Sequence, residues 1–244
     1  MIANIHTVLA LLPAATRARV EAFAKEAVAI LGDELVALIV FGSAVRGGLT
    51  SRSDVDVVMV VSRDEPARLR ALHDAVAIAR VSARLDLQVL LHSEIASAAD
   101  VFPVLFDDLR GCHAVLVGVD VFKDLVIDPE HRRLRVEQEL REARMFLRRL
   151  VVDTASDDLA LRVGVDGLLK RMRAPLSSLC VLHDSTAKDD LITVLDVLGR
   201  RLDVDTLPLT NSQTAALPAA QACMRLLDRA IHDVDGLVTA AVRA

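Results

Sequence analysis

The sequence predicts an α+β fold in two parts, on three observations. Apolar runs of strand length alternate with helical segments through residues 1–128. From Pro129 onward, apolar residues recur at spacings of three and four, without strand alternation or glycine-rich turns. A chain of 244 residues with 53% hydrophobic content can also bury two cores. Residues 1–128 are therefore expected to form a strand-and-helix domain, and residues 129–244 an all-helical bundle.

The elements follow in order. Residues 5–31 carry apolar positions at helical spacing and end at Gly32, a C-cap residue. ELVALIVF (34–41) is a continuous apolar run and reads as a buried strand; DVDVVMVV (54–61) reads as a second. DEPARLRALHDAVAIARV (64–81) reads as a helix opened by Asp64, with Pro66 in its first turn. ARLDLQVLL (83–91) sets Asp86 and Gln88 against Leu85, Leu87 and Val89, the alternation of a third strand. A helical stretch near 101–110 and a short strand HAVLVG (113–118) complete the first part. In the second, Val136, Leu140, Ala143, Leu147 and Leu150 mark one apolar stripe. Similar periodicity runs through 157–183, 188–203 and 212–243, about four helices in all, with residues 153–158 as a connection.

Composition narrows the function classes. No apolar run approaches the roughly 20 residues that cross a bilayer, and no basic leader precedes the short apolar stretch near the N-terminus. Cys112, Cys180 and Cys223 are odd in number, far apart and without metal-ligand spacing, so reduced, buried thiols in a cytoplasmic protein are expected. The net charge is −5, and the whole acidic excess falls in residues 1–128, the opposite of a surface that tracks a polyanion. Six Phe with neither Tyr nor Trp leave few platforms for stacking bases. Nucleic acid is therefore not the expected partner.

One stretch carries chemistry. In FGSAVRGGLTSRSDVDVVMVV (41–61), a strand ends in Gly42-Ser43, a loop follows, and Asp54 and Asp56 open the next strand on one face. Two like charges there repel each other and resist desolvation, so a cation is expected between them. Asp86 interrupts a third apolar strand and would join them if that strand lies alongside. Oxygen ligands of this kind suit magnesium. Gly42 lets a phosphate approach the backbone, Ser43 offers a hydroxyl at the start of a helical turn, and Arg46 reads either as a phosphate contact or as a surface residue.

Gly42-Ser43, ten intervening residues, Asp54-Val55-Asp56 and the later strand residue Asp86 together resemble the DNA polymerase β-type nucleotidyltransferase superfamily, over about residues 30–118. The resemblance implies a mixed β-sheet flanked by helices. It also implies an NTP, ATP being the expected donor, bound through two Mg²⁺, and transfer of a nucleoside monophosphate to a hydroxyl with loss of pyrophosphate. Asp54 and Asp56 would hold the metals, and Asp86 would ligate the catalytic metal or take the acceptor proton. A nucleotidyltransferase domain followed by helices is similar both to aminoglycoside nucleotidyltransferases and to minimal nucleotidyltransferases associated with HEPN-type helical domains. The acceptor would accordingly be a small-molecule or protein hydroxyl. The alternative is an antitoxin-like or scaffold protein that binds a partner with little turnover. A homodimer is compatible with either class.

Other features read more plainly. Arg141, Arg144 and Arg148 share a helix face with Glu137, as a solvent face with i, i+4 pairing; the minority reading closes that face over nucleotide phosphates. Arg225 and His232 have the Arg-x6-His spacing of HEPN ribonucleases, but Leu226 stands where that motif usually has a polar residue. Ribonuclease activity is not expected. His6, His73, His92, His113, His131 and His183 show no ligand spacing.

Overall fold

The computed structural model describes residues 12–46, 53–185 and 190–237. They divide into two compact units, Met1–Ala99 with Asp108–Val126 and Asp100–Asp107 with Ile127–Ala244.

In the first unit, helix α1 (Ala14–Leu31) buries Val20, Phe23, Ala24, Ala27 and Leu31, and residues 5–11 of the expected helix lie outside the described residues. Gly32 closes it as expected: at φ +54° its N–H reaches the carbonyl of Val28. Strand β1 (Leu35–Phe41) follows, then a single turn α2 (Ser43–Arg46) and strand β2 (Val55–Val61). Asp54 sits one residue before β2.

The expected helix over 64–81 is two helices, α3 (Pro66–Ala71) and α4 (His73–Ala83). They part at the buried Leu72, whose N–H turns back to Leu69 and Arg70. Asp64 is not the cap. Pro66 occupies the first helical turn, which makes Glu65 the N-cap residue, and no side chain caps the end. Strand β3 (Leu85–Leu91), helices α5 (Ile95–Val101) and α6 (Pro103–Gly111) and strand β4 (His113–Gly118) follow in the chain, with Asp100–Asp107 counted in the second unit.

The sheet runs β3-β2-β1-β4. Strand β1 is antiparallel to both β2 and β4, whereas β2 and β3 are parallel, so the sheet is mixed. Val55, Val57, Met59 and Val61 of β2 pack with Phe23, Ala24 and Ala27 of α1 and Ala75, Ala79 and Ala83 of α4. By strand alternation, residue 56 faces away from that core. The parallel register sets Val55 against Leu85 and Asp56 against Asp86, which carries both aspartates to one face and one end of the sheet.

The second unit is helical: α7 (Pro129–Asp153), α8 (Asp158–Leu182), α9 (Leu191–Leu202), the short α10 (Leu207–Thr210) and α11 (Ala216–Gly236). Asp128 caps α7, accepting from the N–H groups of Glu130 (2.7 Å) and His131 (3.3 Å) ahead of Pro129. The stripe Val136, Leu140, Ala143 and Leu147 is buried as the periodicity predicts, and Leu150 packs against its margin. Asp107 belongs to this unit. It accepts a bidentate pair from Arg132 (Nε 2.6 Å, Nη2 2.9 Å) and a hydroxyl bond from Ser178 (2.9 Å).

Cys180 and Cys223 are buried and Cys112 is half-buried. Burial pushes Cys180 up to about 11 and Cys223 to about 12. Among the described residues no helix is long and apolar enough to cross a membrane.

Candidate active site

The site is built where β1 stops. Gly42, directly after Phe41, takes φ +72°, and its carbonyl accepts from the N–H groups of Val45 and Arg46, both at 3.2 Å, winding residues 43–46 into one helical turn. A side chain at 42 would be strained by that φ. Its Cβ would also collide with Oδ2 of Asp56 and stand 3.3 Å from its Cγ. The glycine is what lets the Gly-Ser turn and the Asp56 carboxylate occupy adjacent space.

Asp56 lies between Phe41 on β1 and Asp86 on β3 in the sheet register. Neighbouring strands are about 4.8 Å apart, so the two carboxylates are side by side. The Asp56 carboxyl is pushed up to about 6, first by burial, then by the charges of Asp86, Asp54 and Asp108, with Arg46 opposing. Folding raises this pKa. The contribution to stability is therefore present below about 3.8 and is lost as pH rises through about 6.

Asp54 and Asp86 are exposed. Asp54 is held by Arg84, whose Nη2 and Nε lie 2.9 Å and 3.1 Å from its Oδ1, with both side chains about half exposed (55% and 54%). Arg46 turns inward to an ion pair with Asp108 of α6, the two side chains 13% and 12% exposed. Ser43 heads the α2 turn.

The structure thus brings Gly42, Asp56 and Asp86 together, with Ser43 and Asp54 at their margins, and engages Arg46 with a carboxylate. Two participants escaped the sequence reading. Asp108 arrives from a helix 62 residues beyond Arg46, and the adjacent acids Asp107 and Asp108 in an apolar helix were the available signal. Arg84 reaches Asp54 only because β2 and β3 are parallel neighbours.

The donor set suits a hard divalent cation in its chemistry, since it is all oxygen and Asp56 is held above the ordinary range first by burial and then by neighbouring carboxylates whose charge a cation would offset. As they stand, no three or more His, Cys, Asp or Glu side chains among the described residues are arranged to hold a metal ion, and Asp54 is engaged by Arg84.

In the helical unit, Arg141 joins Glu137 (2.8 Å), the i, i+4 pair the sequence suggests, and it also joins Asp235 (2.8 Å) while Arg144 joins Asp228 (2.9 Å), both on α11. Arg225 and His232 line a cavity of about 350 Å³ together with Asp203, Asp205 and Asp228, while Leu226 is buried in the core.

Residues 21–112 match the family model of the nucleotidyltransferase domain. No curated protein matches the chain in sequence. Among solved structures, spectinomycin adenyltransferase AAD(9) from Enterococcus faecialis, solved with ATP and spectinomycin, is similar at 14% identity with a TM-score of 0.46, covering 87% of this chain and 98% of that one. That likeness is too distant to speak for this chain's substrate.

Proposed function

We propose, from the match of residues 21–112 to the nucleotidyltransferase domain, that this chain is a nucleotidyltransferase of the DNA polymerase β type that moves a nucleoside monophosphate, with ATP the expected donor, onto a hydroxyl of a small molecule or protein side chain. One observation carries the reading beyond the family. Gly42 packs against Asp56 beside Asp86, so the Gly-Ser turn and the carboxylates share one end of the sheet.

Each residue then has a role. Gly42 and the Ser43 turn receive the triphosphate, because a glycine backbone admits an oxyanion that a Cβ would exclude. Asp54, Asp56 and Asp86 would hold Mg²⁺, which supplies Lewis-acid stabilisation of phosphate charge when bound. The acceptor oxygen attacks the α-phosphorus, the new P–O bond forms as the bond to the β-phosphate oxygen breaks, and pyrophosphate leaves. The hydroxyl proton passes to a carboxylate, and Asp86 either takes it or serves as a metal ligand. Arg46, held by Asp108, contributes positive charge beside the turn.

The test is calorimetric titration of each NTP with Mg²⁺ into the protein and into an Asp54→Asn/Asp56→Asn variant. Metal-dependent binding that vanishes in the variant supports the reading. Equal binding by both proteins overturns it, and no binding by the unaltered chain favours the scaffold alternative. Transfer to a hydroxyl acceptor should fall on the order of a thousand-fold in the variant.

A further inference from the structure

We propose that Arg84 is an internal counter-cation that occupies Asp54 until a divalent metal displaces it, and that it thereby sets how readily the site takes up metal. The inference rests on reading Asp54, Asp56 and Asp86 as the metal-holding carboxylates.

The geometry is specific. Both Nε and Nη2 of Arg84 converge on one oxygen, Oδ1 of Asp54. Its backbone is fixed from two sides, since its N–H reaches the carbonyl of Ala79 at the end of α4 and its own carbonyl accepts from the N–H of Val55 at 3.0 Å. It therefore sits beside the first residue of β3, two positions before Asp86. The residue closes α4 in the left-handed region, at φ +52° and ψ +40°, a position that favours glycine or asparagine. An arginine there is conformationally costly for its backbone, so a role for its side chain is the economical reading.

The charges around the site divide into two kinds. Asp108 is held by Arg46 in a nearly buried pair, which is hard to exchange because separation would leave two charges out of water. Asp54 and Arg84 meet at the surface, where the pair is screened and easily opened. Asp56 and Asp86 have no ion-pair partner among the described residues. Arg84 is thus the one cation at this end of the sheet, among those described, placed to yield to a metal at small cost. An oxygen engaged by guanidinium is withheld from a metal, so guanidinium and metal compete for Asp54.

The experiment measures Mn²⁺ binding to the full chain without nucleotide, reading free Mn²⁺ by electron paramagnetic resonance. Arg84→Asn keeps the left-handed backbone and removes the cation; Arg84→Gly is the second variant should Asn misfold. Both should bind Mn²⁺ about two- to fivefold more tightly than the unaltered protein, the range an exposed pair allows. Arg84→Lys should stay near the original, and high salt should narrow the difference. Arg80→Asn removes an equal charge from an exposed position one turn earlier on α4 and should leave binding unchanged. The proposal is overturned if Arg84→Asn binds no more tightly while Asp54→Asn still weakens binding, or if Arg80→Asn tightens it as much. Mn²⁺ binding indifferent to Asp54→Asn and Asp56→Asn would instead remove the metal reading itself, and this proposal with it.

Discussion

Two partly buried aspartates in this chain have opposite surroundings. Asp107 in the helical unit accepts two bonds from Arg132 and one from Ser178, so its charge is matched by donors on the spot. Asp56 in the sheet unit has three other carboxylates for neighbours, and its own carboxyl is pushed up to about 6. The difference separates a charge whose donors are built into the fold from one whose neighbours are themselves acids, which is what the proposed metal site calls for. Matched donors fix a helix pair, whereas unmatched acceptors stay costly unless a cation offsets them.

Substitution should sharpen that contrast from both ends. Asp107→Ala would strand the buried Arg132 guanidinium and should cost about 3–5 kcal/mol of stability by denaturant titration. A loss below 1 kcal/mol would mean that Arg132 finds other partners and that the pair is not structural. Gly42→Ala should cost about 1–2 kcal/mol for its left-handed backbone alone. The added Cβ also meets the Asp56 carboxylate, so nucleotide binding should weaken more than the melting temperature shifts, a split that calorimetry on the purified variant reads directly. Asp56→Asn carries the smallest effect and the opposite sign. Removing a charge that burial and its neighbours disfavour should stabilise the metal-free fold by about 1 kcal/mol at pH 8, after allowance for solvent screening, and by nothing near pH 4. Thermal melts across pH check this, and a stabilisation independent of pH would remove the electrostatic cause.

Much of this arrangement was legible from residue order. Continuous apolar runs located β1 and β2, alternation located β3 and a short apolar run located β4, and three aspartates interrupting or heading these segments marked the candidate site, because a charge in a buried strand needs a reason. The break at Leu72 was not legible, since a buried leucine fits a continuous helix and a turn equally well. Asp64 was misread as a cap because acidic residues favour that role, yet Pro66 fixes the helix start and hands the position to Glu65. Arg84 and Asp108 stayed hidden for a different reason. Their partners depend on which strands become neighbours and where a later helix lands, and neither is written in local periodicity.

The burial of two thiols leaves a practical asymmetry. Cys180 and Cys223 are shut away and held far from thiolate formation at neutral pH, while Cys112 stands half-open at the end of α6, its N–H bonded to the carbonyl of Asp108. The molecule therefore carries its own address for a spectroscopic label. A fluorophore attached there would sit one helical turn from the acid that holds Arg46, close enough to report on the Gly-Ser turn without a single engineered residue.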